Sequence, residues 1–198
     1  MSLPDDAAEV LDFWFNQLTP EEWFQPGDDL DETIARRFGG LHARLGRDGV
    51  PPSWRATPRG RLAAIIVLDQ FPRNIYRGKA AAFSTDDAAL ALARETVDGG
   101  YADGLEAVER KFVYLPFEHS EEPAVQDRSV RLFATLDDPR SLHFAEAHRD
   151  VIRRFGRFPH RNRMLGRVSN AEEEAYLAEP GAGFGWLPDN DPDEGNTS

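Results

Sequence analysis

Apolar residues recur along this chain with the period of a helix, and no stretch of four to eight residues alternates as a half-buried strand would. Val10, Phe13, Trp14 and Leu18 form the first stripe. Thr19-Pro20-Glu21-Glu22 then offers an N-cap, a proline at the first helical position and acids in the first turn, which predicts a short helix. Ile34, Phe38, Leu41 and Leu45 predict an amphipathic helix over 31–45 closed by Gly46, with a loop at Gly49-Val50-Pro51-Pro52. Thr57-Pro58 opens a helix predicted to run through Asp69, apolar almost all round and therefore central. Further helices are predicted from Ser84 or Thr85 to Gly99-Gly100, and along Leu105, Val108, Phe112 and Leu115 until Pro116 stops or kinks the chain. Three more follow, from Ser120 through Leu136, from Ser141 to Phe155, and from Asn170 through Leu177. Short loops between such helices describe an all-α domain over 1–188, an antiparallel bundle or a short helical solenoid. No period of about 34 residues establishes a regular repeat.

Composition narrows the chemistry. The 198 residues include no cysteine, which excludes thiolate catalysis and zinc-thiolate sites. The longest apolar run, Leu62 to Leu68, is too short to cross a membrane, and acids stand where a signal peptide would carry bases, so a cytoplasmic location is expected. The net charge of −12 is unevenly spread. Ten acids and no base precede Thr33, and four more acids follow Pro188 in a tail, 189–198, that lacks large apolar groups and is expected to be disordered. The body between is slightly basic, and its densest arginine run, over 147–168, suggests either an anionic ligand or neutralisation of the acidic amino terminus.

Polar residues on apolar stripes carry the functional information, because burial without partners costs each of them roughly 1 to 3 kcal/mol. Asp69 completes the stripe of Leu62, Ile65 and Ile66, and Gln70-Phe71-Pro72-Arg73-Asn74 follows it with amides and a guanidinium. His148 shares a face with Phe144, Val151 and Phe155, and the chain then turns through Phe158-Pro159-His160-Arg161-Asn162. That turn echoes Phe71-Pro72-Arg73-Asn74, a pattern that reads equally as two Arg/Asn pairs about one pocket or as two helix ends closed by Phe-Pro with exposed arginines beyond. Glu118 and His119 follow Pro116 directly. A carboxylate beside an imidazole supplies acid and base near neutral pH, provided that a kink lets adjacent residues converge. Each feature also has a plain structural reading: a carboxylate bonded to nearby backbone, a core histidine, capping acids.

Three motifs in order, Leu68-Asp69-Gln70-Phe71-Pro72-Arg73-Asn74-Ile75-Tyr76-Arg77-Gly78, Phe117-Glu118-His119-Ser120-Glu121, and His148-Arg149-Asp150 leading to Gly156-Arg157-Phe158-Pro159-His160-Arg161-Asn162, resemble the bacterial family called domain of unknown function 924. Val10-Leu11-Asp12-Phe13-Trp14-Phe15 and Trp23-Phe24 fit it as well, so the resemblance reaches to about Leu187. It implies an all-helical, tetratricopeptide-like array in a cytoplasmic protein and implies no activity, so no catalytic residue carries over.

The leading expectation is a polar cleft that binds a small anionic molecule, lined by Asp69, Arg73, Asn74, His148, Arg154, Arg161 and Asn162, with Glu118 and His119 as acid/base candidates. The alternative is a protein-interaction scaffold anchored by Trp14, Trp23, Trp54 and Trp186, without catalysis. No cofactor or resident metal is expected: no HExxH motif occurs, and Gly181-Ala182-Gly183-Phe184-Gly185-Trp186 lacks the Lys-Ser/Thr of a phosphate loop. Duplex nucleic acid is disfavoured by the overall charge. The sequence names neither a substrate nor a reaction.

Overall fold

A computed structural model describes residues 2–24 and 27–184, and every regular element among them is helical. The acidic tail and Trp186 lie outside the described residues. Helix α1 (Asp5–Asp12) opens into a π turn, Phe13–Gln17, and buries Val10, Leu11, Phe13 and Trp14. Thr19 and Glu22 form the reciprocal bonds of a capping box, with Thr19 N donating to Glu22 Oε2 at 2.7 Å, yet only a turn follows over 20–24. The Trp23 indole donates to the Trp14 carbonyl at 2.7 Å and ties that turn back onto the end of the first helix.

Helix α2 (Asp28–Asp48) is longer than its apolar stripe predicts. Three acids in its first turn favour an earlier start, and it runs through Gly46 to stop at Gly49, whose φ is 80°. Gly46 is there for close approach: a Cβ would meet the Thr85 methyl at 3.2 Å. After α3 (Pro52–Arg55), α4 (Pro58–Ile65) is buried from Gly60 onward and is capped by the Thr57 hydroxyl, which accepts from Gly60 N at 3.1 Å.

This central helix does not end at Asp69. It widens into a π turn, Ile66–Gln70, and continues as α5 (Phe71–Ile75) through Pro72. Proline has no N–H for the carbonyl four residues back, and that carbonyl, of Leu68, accepts instead from the buried Thr85 hydroxyl at 2.6 Å. Pro116 likewise fails to stop α7 (Ala107–Glu118), which follows α6 (Asp86–Asp98). Helix α8 (Pro123–Phe133) starts at its proline, and α9 (Pro139–Phe155) starts two residues before Ser141 because Asp138 is its N-cap, accepting from Ser141 N at 3.0 Å. The Asn170–Glu173 capping box opens α10 (Ala171–Leu177) where the sequence predicts it.

Helices α6 to α9 each pack on the next, and α4 lies against α1, α3, α6 and α7. Phe13, Trp14, Phe38, Phe71 and Phe112 meet ring to ring at the centre. With α8 returning between them, α7 and α9 run the same way: Lys111 Nζ is 3.6 Å from Asp138 Oδ2 near their starts, and His148 Nδ1 is 3.4 Å from Glu118 Oε1 further along. That register positions the cleft. Among the described residues no helix is long and apolar enough to cross a membrane.

Candidate active-site cleft

A cleft of about 670 Å3 lies along α7 and α9. The turn over 20–24 forms one wall, Gln70, Arg73, Asn74 and Arg77 another, and Gly181 and Phe184 also border it. From α7 it receives Lys111, Leu115, Glu118 and the following His119; from α9 and its cap it receives Asp138, Arg140, Ser141, Phe144 and His148.

Asp69 lies directly behind His119, wholly buried. Its Oδ1 takes the His119 Nδ1 at 2.8 Å and its Oδ2 accepts from Gln70 Nε2 at 2.6 Å. Burial alone would raise this carboxyl, but Arg73, 3.4 Å away, and His119 hold it down at about 2. Burial and the Arg73 charge lower the His119 pKa, against the opposing pull of Asp69, so the ring is neutral at neutral pH. An ionised acceptor at Nδ1 puts the ring proton there and leaves the lone pair on Nε2.

Glu118 is in the opposite state. Burial pushes its carboxyl up to about 8, partly offset by Lys111, so it carries its proton at neutral pH. His148, on the facing helix, donates from Nδ1 to the Phe144 carbonyl at 2.8 Å, stacks on Phe184 at 3.7 Å, and is brought down by burial to about 3. Adjacent residues thus serve one cleft without a helix break: Glu118 turns toward α9 and His119 toward the π turn. Gln126, fully buried on α8, fixes the end of α7 by donating to the carbonyls of Glu118 and Ser120, each at 2.6 Å.

Of the nine residues singled out from sequence, Arg73, Asn74, Glu118, His119 and His148 line the cleft and Asp69 backs it. The two Phe-Pro segments do approach one another, but at Asp86 and not about a ligand pocket. Arg73 reaches that carboxylate at 3.0 and 3.2 Å, and Arg161 at 3.5 Å. Arg161 does not line the cleft. Burial lowers its pKa to about 10, and Asp86 opposes that, so it stays charged at neutral pH. Asn162 turns away, donating to Ser169 Oγ at 3.0 Å. Arg154 stands on the outer face with its Nε 2.9 Å from Glu172 Oε1. It belongs to a run of arginines matched by nearby acids: Arg153 by Asp127, Arg157 by Glu173, Arg167 by Glu121. The acidic amino terminus is met instead by Arg37, Arg44 and Arg77.

Sequence reasoning missed the site roles of Arg77, Asp86, Lys111, Gln126 and Arg140. Lys111 had a signal, seven residues before Glu118 on the same helix face; Asp86 and Gln126 had none, since each looks like an ordinary helix acid or amide. Of the tryptophans offered as partner anchors, Trp14 and Trp54 are core residues and Trp23 packs on Phe112 within the cleft wall. Among the described residues no three His, Cys, Asp or Glu side chains are grouped to hold a metal.

Comparison with known proteins places the chain in a family. The chain belongs to the family described as bacterial protein of unknown function (DUF924), whose sequence model matches residues 10–181. A solved structure of a protein of unknown function from Agrobacterium tumefaciens is 39% identical, with a TM-score of 0.82 over 87% of this chain and 96% of that one. No curated protein matches.

Proposed function

We propose that this protein binds a small anionic molecule in the cleft and moves protons on it, with His119 as the base and Glu118 as the acid. The observation that carries this reading is the pairing of opposite protonation states at one surface: a neutral imidazole oriented by a buried ionised Asp69, beside a carboxyl that burial keeps protonated. Environments that push two neighbouring groups apart in this way match an acid and a base to work at the same pH. The cleft volume of about 670 Å3 falls in the range of small-molecule sites. Arg73, Arg77, Lys111 and Arg140 supply positive charge to its walls, which suits a carboxylate or phosphate.

The test is binding followed by exchange. Carboxylate and phosphate metabolites are mixed with the protein and read by saturation-transfer NMR, and any retained compound is then incubated with the protein in D2O. The wild type and Arg154→Ala should retain the same compounds and exchange a carbon-bound proton for deuterium. His119→Gln should slow that exchange by about a hundredfold or more. Retention of nothing, or exchange as fast as the wild type's in folded His119→Gln and Glu118→Gln proteins, overturns the reading.

A further inference from the structure

We propose that the ligand is an elongated amphipathic anion, its carboxylate or phosphate held between Lys111 and Arg140 and its reacting end roughly 10 Å away against His119 and Glu118. This rests on the cleft reading above and adds the shape and polarity of the molecule.

Two parallel rails set the geometry. Lys111, Leu115 and Glu118 follow one another at four and three residues on α7; Arg140, Phe144 and His148 follow at four and four on α9. A rise of about 1.5 Å per residue separates the ends of each rail by roughly 10 to 12 Å. The ion-pair contact of Lys111 with Asp138 at one end and the approach of Glu118 to His148 at the other put the rails in register, rung by rung. The outer ends carry Lys111 and Arg140, Leu115 and Phe144 take the middle positions, and the inner ends carry the titratable groups.

The apolar middle extends into the wall over 20–24, where Phe24 lies 4.8 Å from the Lys111 ammonium and stacks on Phe112. Phe24 and Phe144 are 51% and 39% exposed, large apolar side chains left open to solvent at the cleft. A ligand with an apolar body would cover them.

Charge balance decides which end takes the anion. At the inner end the cations are already answered: Arg73 by Asp69 and Asp86, Arg77 by a two-point contact with Asp31 at 2.6 and 2.9 Å. At the outer end Asp138 both caps α9 and pairs with Lys111 at 3.6 Å, while among the described residues Arg140 has no acidic side chain within ion-pair distance, so that end keeps one cation in excess. Glu21, the other carboxylate of the wall, is exposed and pairs with neither Lys111 nor Arg140. The anionic group therefore goes to Lys111 and Arg140, and an uncharged, proton-exchanging group to His119 and Glu118.

The probes are butanoate, octanoate and octan-1-ol, titrated into the whole protein by calorimetry. Octanoate should bind more tightly than butanoate by about fourfold per added methylene buried, and more tightly than octan-1-ol. The double variant Lys111→Ala/Arg140→Ala should weaken octanoate about tenfold. Phe144→Ala should weaken octanoate and leave butanoate unchanged; all three positions, Lys111, Arg140 and Phe144, are exposed or partly exposed, so the fold is kept. Equal affinity for butanoate and octanoate, equal affinity for octanoate and octan-1-ol, or an octanoate affinity indifferent to the double variant overturns the inference. A metabolite whose exchange depends on His119 while its binding ignores Lys111 and Arg140 overturns this inference and spares the acid/base reading. Octanoate binding that needs Lys111 and Arg140, with no His119-dependent exchange in any compound, does the reverse.

Discussion

Asp69 shows how much one side chain can organise. A carboxylate with no exposure is tolerated because Gln70, His119 and Arg73 between them answer both its oxygens, and the same contacts fix the tautomer of the cleft imidazole. Asp69→Asn removes the charge and keeps the shape. It should cost about 3 to 5 kcal/mol in denaturant titrations, since Arg73 loses one of its carboxylate partners and one amide must face another. It should also move the His119 titration midpoint, read by NMR of the ring protons, further down, because the Asp69 charge is what pulls that pKa upward. A buried role for Asp69 is legible in the sequence, where an acid interrupts an apolar stripe, and so is the role of His148. Arg161 and Asn162 look just as promising by the same logic and yet turn to Asp86 and Ser169, because direction beyond a turn depends on partners distant in sequence.

At the scale of elements, helix periodicity is enough to predict nearly every α-helix, and the errors cluster at prolines and glycines. Pro72, Pro116 and Gly46 read as stops and are passed through. What lets the chain pass Pro72 is a hydroxyl thirteen residues further on: Thr85 donates to the Leu68 carbonyl and accepts from His42 Nε2 at 3.2 Å. No local signal announces such a partner. Thr85→Val, which keeps the shape and loses the donor, should therefore destabilise by about 1 to 3 kcal/mol, leaving the Leu68 carbonyl and the His42 N–H both unanswered. Adding Pro72→Ala returns an N–H opposite that carbonyl, so the double variant should recover part of the loss. Additive losses in the two-variant cycle would show that the hydroxyl is not what accommodates the proline.

For the whole molecule, the buried titratable groups of the cleft predict an unusual dependence of stability on pH. The His148 pKa falls from 6.5 in the unfolded chain to about 3, so its contribution is fully present above 6.5 and is lost as pH falls toward 3. Glu118 works in the other direction. Its carboxyl rises from 4.5 to about 8 on folding, so the folded state holds one more proton between those values and stability declines as pH rises through them. From 4.5 to 6.5 the two slopes oppose and largely cancel. Above 6.5 the histidine contribution is complete and Glu118 acts alone, at about 1.4 kcal/mol per pH unit, or roughly 2 kcal/mol lost by pH 8. Denaturant titrations across that interval should show the decline in the wild type and none in Glu118→Gln, whose amide is neutral throughout and fills the same space. The mutant, near parity with the wild type only below pH 4.5, should already be the more stable protein at pH 6.5, and its lead should widen by pH 8. A wild-type curve flat from 6.5 to 8 would mean that Glu118 ionises as an ordinary carboxylate, and it would remove the acid from the proposed acid/base pair.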